Sequence, residues 1–213
     1  MIPVPLNPNG AMIAPENYHS ELSYYEGHVP DGAVKWKAEW CVEKYDNTPS
    51  ADVRAGIAVP SAVHHVKGNI LTYGGGDVMW LGLKGGLTAT ADAKNTYFDN
   101  SNAAVIVGTS GATAVVGDTD LSSSTDANRA ASGMEATYPL HTTGVASTAN
   151  MDLTFRSVFS TAQANFTWEE WGVTNTTKST APLAGRLLNR KAEALGTKTA
   201  AATWTFTVAL TLS

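Results

Sequence analysis

TWTFTVALTL, residues 203–212, alternates large apolar side chains with small, mostly hydroxylated ones over its whole length. Side chains of a β-strand point alternately to its two sides, so the large apolar residues of this segment share one face. They are Trp204, Phe206, Val208, Leu210 and Leu212. The segment has no internal turn signal, and it predicts a long sheet strand with one buried face.

The same alternation recurs in VKWKAEWCV, residues 34–42, and in MDLTFRSVF, residues 151–159. A further strand is predicted at 165–173. GRLLNRKAEALG, residues 185–196, fits either a helix that ends at Gly196 or a strand, and we favour a strand for its first half.

Shorter apolar pieces lie between clusters of glycine, which predicts short strands joined by tight turns. These pieces are 56–59, 62–66, 70–73, 78–83, 103–107 and 112–116. Many short strands and almost no helix indicate an all-β fold, either an antiparallel β-sandwich or a jelly-roll-like barrel. The predicted domain covers residues 31–213, and its Ala-, Ser-, Thr- and Gly-rich part at about 117–150 is predicted as a long loop.

Residues 1–30 are predicted to form an extended arm, because the prolines near its start prevent a helix and pair poorly within a sheet. An extended arm lies against either another chain or its own domain, and the sequence leaves both arrangements open. The residues expected at a partner interface are Pro3, Pro5, Leu6, Pro8, Met12, Ile13 and Pro15.

Composition restricts the range of partners. Charged residues make up 15% of the chain, against about 25% in ordinary soluble domains, and there are 31 alanines and 26 threonines. The net charge of −5 comes without a lysine or arginine cluster, which argues against nucleic acid. We see no export signal and no apolar run long enough to span a membrane, and we expect no membrane partner.

Cys41 is the single cysteine, so no intramolecular disulfide forms, and we expect a half-buried thiol.

ANFTWEEWGV, residues 164–173, places Glu169 and Glu170 between Trp168 and Trp171. A glycosidase needs two carboxylates that face one substrate. On a regular strand the two glutamates point to opposite faces, and so do the two tryptophans, unless the strand is bulged. We therefore expect one tryptophan in the core, the other at the rim of the sheet, and no catalytic pair.

No metal or cofactor site is predicted. His64 and His65 diverge on a strand, and the other histidines, His19, His28 and His141, are scattered.

Tryptophans can stack on sugars, so a glycan-binding surface is an alternative, although a core position is the main expectation for each tryptophan. The preferred candidates for stacking are Trp36, Trp40, Trp168 and Trp171, and the other two are Trp80 and Trp204.

The end of the chain resembles a C-terminal module of small structural proteins of tailed bacteriophages, and more loosely their tail-collar and fibre modules. The matching pattern comprises Trp168, Glu170, Trp171 and Gly172, then Leu188 to Lys191, then Gly196 to Lys198, and finally the strand from Trp204 to Leu212. About 60 residues share the pattern, and it contains no active-site signature.

The resemblance implies a non-enzymatic virion component, assembled in the bacterial cytoplasm, that binds other virion proteins such as capsid or tail subunits and associates with itself. A capsid decoration or head-fibre attachment protein is favoured over a tail or baseplate fibre component. A glycan-binding adhesin and a hydrolase are the alternatives from other classes. The adhesin requires two tryptophans together on the surface, and the hydrolase requires carboxylates or histidines that converge in one pocket.

Overall fold

The computed structural model describes residues 36–86, 97–141 and 151–212, so the predicted arm with its interface residues from Pro3 to Pro15, together with His19 and His28, lies outside the described residues. The strands are β1 (Trp36–Asp46), β2 (Ala62–Lys67), β3 (Ile70–Leu71), β4 (Ala104–Gly108), β5 (Arg129–Gly133), β6 (Leu140–His141), β7 (Met151–Phe159), β8 (Thr167–Thr174), β9 (Leu187–Thr197) and β10 (Ala202–Leu212). The helices are α1 (Ser50–Arg54), α2 (Tyr73–Leu83) and a short 3-10 turn (Asp126–Asn128).

These strands form two antiparallel sheets of five, which confirms the predicted all-β sandwich. Sheet 1 has the order β2-β1-β10-β7-β6, and sheet 2 has the order β3-β9-β8-β4-β5. β10 lies in the middle of sheet 1, where it pairs with β1 from Leu212 opposite Trp36 to Ala202 opposite Asp46. The alternating segment at residues 203–212 is therefore a central strand.

Aromatic side chains from both sheets meet in the core between them. The ring centroids of Trp40 and Phe206 in sheet 1 are 5.1 Å apart, and the ring of Trp171 in sheet 2 lies 5.9 Å from that of Trp40. The Trp168 ring contacts those of Phe159 and Trp204, at 4.8 and 4.7 Å. Edge-to-face packing of this kind adds to the hydrophobic gain of burial, and it fixes how the sheets face one another.

A third layer covers the outer face of sheet 2. Residues 109–128, the covering segment, follow β4 and return across the sheet before β5. Leu121 of this segment is buried with Ile106 of β4 and Leu187 of β9 in a second, smaller apolar cluster. Strands β4, β8 and β9 are consequently buried on both faces over part of their length.

The long strands agree with the sequence predictions. β1, β7, β8 and β10 coincide with the predicted strands to within a few residues at each end. Residues 187–197 form a single strand, so the strand interpretation of this ambiguous segment is confirmed for more than its first half.

The predicted strand at 78–83 is wrong, because these residues belong to α2. The helix begins after Thr72, whose hydroxyl accepts a hydrogen bond from the amide of Gly75 at 3.2 Å, and such a cap favours helix initiation. A Cβ atom on Gly75 would lie 2.2 Å from the carbonyl oxygen of Leu188. The glycine thus lets the helix pack directly against the backbone of β9.

Two other short strands are absent, at 56–59 and 112–116. In the second segment the carbonyl oxygens of Ala112 and Thr113 accept hydrogen bonds from the side chain of Arg190. Part of the predicted loop is instead a strand, since residues 129–133 are β5 and pair with β4. Side-chain anchoring and edge pairing of this kind leave no periodic signal in the sequence.

Gly172 lies where β8 and β9 of sheet 2 pack closely. A Cβ atom there would lie 2.4 Å from the carbonyl oxygen of Asn189 and 2.8 Å from Cδ1 of Leu187. We expect Gly172→Ala to lower the free energy of unfolding by about 1–3 kcal/mol, measured by urea denaturation. Gly117→Ala is the matched control, because a Cβ atom at that exposed position meets nothing within 4 Å. Equal stabilities for the two variants would contradict the packing described here.

Candidate functional site

The glutamate pair predicted to diverge is held on one side of β8. The pairing of β8 with β9 is irregular between Trp168 and Glu170, which is the bulge exception to strict alternation. Glu170 binds the covering segment through hydrogen bonds. The carboxylate of Glu169 lies beside the same segment, since a Cβ atom added to Gly111 would be 3.5 Å from Oε2 of Glu169. The prediction that the two carboxylates point to opposite faces is therefore wrong.

Glu170 is fully buried and accepts five hydrogen bonds. Its Oε1 accepts from the amide and the hydroxyl of Ser123, at 2.7 and 2.6 Å. Its Oε2 accepts from the amide of Ser122 at 2.9 Å and from Nε and Nη2 of Arg190 at 2.9 and 2.7 Å. A carboxylate saturated in this way has no accessible lone pair for a substrate proton, and its chemistry is that of a structural anchor.

Arg190 is the cationic partner, and its side chain is fully buried as well. Besides binding Glu170, it donates from Nη1 to Oδ2 of Asp118 at 2.8 Å and to the carbonyl oxygen of Thr113 at 3.3 Å, and from Nη2 to the carbonyl oxygen of Ala112 at 2.9 Å. All five N–H bonds of a guanidinium are thereby used. The arginine binds two carboxylates and two backbone carbonyls, and this ties β9 to β8 and to the covering segment.

A second buried arginine anchors the other end of the covering segment. Arg129 donates from Nη1 to the carbonyl oxygen of Ser123 at 3.1 Å and from Nη2 to Oδ1 of Asp120. Oδ2 of Asp120 in turn accepts from the amide of Leu183 at 2.8 Å. The acidic and hydroxyl residues that made this segment look like a loop are the groups that attach it to sheet 2.

Lys198, in the turn between β9 and β10, is a third buried cation with 1% of its surface exposed. Its Nζ donates to the carbonyl oxygen of Ser160 at 2.7 Å and to Oδ1 of Asn165 at 2.9 Å. Burial lowers the pKa of Lys198 to about 8, because the charged form loses its hydration. The lysine thus joins the β9–β10 turn to the β7–β8 connection.

Three of the four tryptophans preferred for glycan stacking are core residues. Trp40, Trp168 and Trp171 are at most 1% exposed, so the expectation that one of the pair at 168 and 171 lies at the rim is wrong. The irregular pairing within β8 turns both indoles inward. Trp36 is half-buried, and its Nε1 donates to Oδ1 of Asn69 at 3.1 Å. Trp80, which was not among the four, is 70% exposed.

Cys41 and His65 are opposite each other on the outer face of sheet 1, whereas His64 is opposite the buried Val42. The thiol is half-buried. Burial is the main cause that raises its pKa, and the charge of Glu43 raises the pKa further, whereas the charge of Arg156 lowers it. The thiol form is therefore favoured over the nucleophilic thiolate. Nε2 of His64 lies 3.7 Å from Oε1 of Glu193. Among the described residues, no three histidine, cysteine, aspartate or glutamate side chains converge as metal ligands.

An apolar cavity of about 330 Å³ opens at one end of the sandwich. Its walls come from both sheets, from α2 and from the segment before β4, and they comprise Trp36, Met79, Phe98, His141, Leu153, Phe155, Leu188 and Leu210. The one titratable group is the imidazole of His141, whose Nδ1 lies 3.1 Å from the carbonyl oxygen of Asp152. Such a cavity suits an apolar group, with release of water as the driving force.

Exposed apolar side chains cluster beside these elements. Seven of the eleven large apolar residues exposed in the described part of the chain fall within residues 57–63 and 73–83. They are Ile57, Val59 and Val63 near the start of β2, and Tyr73, Met79, Trp80 and Leu83 on α2. The sequence does not reveal either group, because its pattern at these residues predicts strands that bury one face.

Neither the cavity nor the exposed residues could be located from sequence spacing. Apart from Phe98, each cavity residue lies on a strand or helix that looks like core by itself, and the eight come together only when the two sheets pack. In the residues that the structure describes, no helix has the length and apolar character of a membrane span.

The chain matches no protein-family model, no curated protein and no solved structure.

The buried anchor generates a stability prediction. Glu170→Gln keeps the shape of the side chain but removes the charge that offsets the buried guanidinium, so we expect the free energy of unfolding to fall by about 3 kcal/mol or more. Glu169→Gln is the control, since this neighbour is only half-buried, and a change within about 0.5 kcal/mol is expected. Urea denaturation of both variants measures the difference, and a small effect at Glu170 would contradict its anchoring role.

Lys198 generates a pH prediction. Its pKa is about 8 in the folded chain, against an ordinary value of 10.5, so between these pH values the unfolded chain binds more protons. The free energy of unfolding therefore rises with pH across this window. Lys198→Met lacks this contribution, and we expect wild type to gain stability relative to the variant as the pH increases from about 8 to 10.5. A difference that stays constant over the window would show that Lys198 titrates alike in both states.

Proposed function

We propose that this chain is a non-enzymatic structural protein of a tailed-bacteriophage virion. In this role it is a capsid decoration or head-fibre attachment protein that binds neighbouring shell subunits through its N-terminal arm and its loops. A tail or baseplate fibre component is the nearest alternative. Both assignments make the chain a subunit that is held in place by apolar contact with other proteins.

The observation that carries the proposal is the clustering of exposed apolar side chains. Ile57 and Val59 are 72% and 84% exposed, and Trp80 and Leu83 are 70% and 80% exposed. Single exposed apolar residues are normal, but groups of them beside an open apolar cavity are typical of protein contact surfaces. A subunit surrounded by neighbours would bury these groups on assembly.

The resemblance at the end of the chain supports the same role through the fold. The matching residues include the core tryptophans of β8, the anchor formed by Glu170 and Arg190, and the buried Lys198. Gly172 belongs to the pattern and lies against the backbone of β9. Each has a structural task here, so the pattern describes how the module folds. A virion module of this kind works by position, without a reaction centre.

The alternatives need features that the described residues provide poorly. An adhesin that stacks sugars on Trp40, Trp168 or Trp171 would need these indoles at the surface, and they are buried. A hydrolase would need paired carboxylates or histidines, and the wall of the apolar cavity contains only one such residue, His141. We therefore keep the structural role as the proposal.

The proposal is tested on virions of the phage that carries this gene. We expect mass spectrometry to detect the chain in gradient-purified particles, and antibodies against it to label intact virions by electron microscopy. Labelling of the head supports the decoration or head-fibre role, whereas labelling of the tail supports the alternative. Absence of the chain from purified particles would overturn the proposal.

Two variants test how the subunit is held. Removal of residues 2–15 is expected to abolish incorporation into particles while the sandwich still unfolds cooperatively.

The double variant Ile57→Asn with Val59→Asn is expected to reduce the copy number by about tenfold or more, because both side chains would lose their apolar contacts with a neighbouring subunit. Leu140→Asn makes the same kind of change at another exposed apolar residue and should incorporate normally. Full incorporation of both test variants would contradict attachment through the arm and loops.

A further inference from the structure

The exposed side of α2 carries a repeat of its own. Tyr73, Gly76, Trp80 and Leu83 are spaced by three, four and three residues, which places them along one face of a helix. We call these four residues the α2 face. Tyr73, Trp80 and Leu83 are 52%, 70% and 80% exposed, while the opposite side of the helix buries Gly75 and Val78 against the domain. The spacing is that of the a and d positions of a helix that packs against another helix.

The α2 face is complementary to itself in an antiparallel arrangement. If two copies of α2 cross at the level of Val78, Trp80 of each copy lies opposite Gly76 of the other, and Tyr73 lies opposite Leu83. Around Gly76 the space is open, since a Cβ atom there meets nothing within 4 Å. Trp80, the largest residue of the α2 face, thus fits over Gly76, which is the one residue of the four without a side chain. In antiparallel helix pairs, a positions face d positions in this way.

The charges beside the face are compatible with this pairing. Asp77 flanks it, and its carboxylate already pairs with Arg186 at 2.8 Å. In the antiparallel arrangement Asp77 lies opposite Met79, so the two acidic groups do not face each other. Lys84, which follows the last residue of α2, is the next charge along the chain, and its two copies lie at opposite ends of the contact. Like charges are therefore kept apart.

The apolar area is sufficient for a small interface. With roughly 200 Å² for each large side chain, the exposed parts of Tyr73, Met79, Trp80 and Leu83 amount to about 500 Å² per copy. Two copies would bury about 1,000 Å², which is near the lower limit for a specific protein interface. We infer that the α2 face is the contact surface of a twofold dimer of this chain, with Trp80 of each copy seated over Gly76 of its partner.

The experiment measures the oligomeric state of the full-length chain by sedimentation and light scattering over a range of micromolar concentrations. Wild type is expected to form a dimer. Trp80→Ser removes the central contact and should weaken the dimer by roughly tenfold or more, as truncation of a central tryptophan usually does. Leu140→Ser is the matched control, because it alters an exposed apolar residue outside α2 to which no contact is assigned, and it should leave the dimer unchanged.

Gly76→Leu separates loss of the dimer from loss of the fold. Leucine favours a helix more than glycine does, and the space around Gly76 accommodates its Cβ within one chain, so the monomer should remain folded, with an unchanged or higher unfolding midpoint. The same side chain fills the position that Trp80 of the partner would occupy, and the dimer should weaken as much as in Trp80→Ser.

A monomeric wild type would overturn the inference, and so would a dimer that persists in both variants. Either result is independent of the virion role, because incorporation into particles is measured separately. A chain that enters virions but stays monomeric would keep the proposed function and remove the dimer. A chain that forms the dimer but is missing from virions would do the reverse.

Discussion

The buried ion pair between Glu170 and Arg190 is the interaction on which the outer half of the sandwich depends. Two charges cannot be moved from water into a protein interior without large cost unless they meet each other and further hydrogen-bond partners. Here the carboxylate also binds two serine amides and a hydroxyl of the covering segment, and the guanidinium binds Asp118 and two carbonyls. Leu121 is the one large apolar side chain of segment 109–128 that is buried, since Val115 and Val116 are exposed, so these polar contacts are what position it over sheet 2.

The anchor and the aromatic core are two sides of the same strand. The irregular pairing in β8 turns Trp168 and Trp171 towards sheet 1 while Glu170 points away from it. Gly172 then lets β9 approach closely enough for Arg190 to reach the carboxylate. Trp168, Glu170, Trp171, Gly172 and Arg190, which build this junction, all belong to the pattern on which the proposed likeness to phage modules rests.

The surface has a different organisation from the core. Its charges are few, and its exposed apolar residues are gathered at 57–63 and on α2, beside a cavity whose walls come from both sheets. A free monomer gains nothing from such groups, whereas a subunit among neighbours buries them. The proposed attachment through the arm and residues 57–63 and the proposed twofold association through α2 would use different residues, so one chain could do both at once.

The sequence by itself determined the sandwich and its long strands, because a strand with one buried face must alternate in polarity, as residues 203–212 do. The low charge and the single cysteine are also read directly from it, whereas the structural role is a proposal. Only the tertiary structure decided that 73–83 is a helix and that both tryptophans of β8 face inward. It likewise revealed that the acidic loop residues bind buried arginines. These features depend on contacts between residues far apart in the chain, such as Gly75 with Leu188 and Glu170 with Arg190, and such contacts leave no periodic trace in a local pattern.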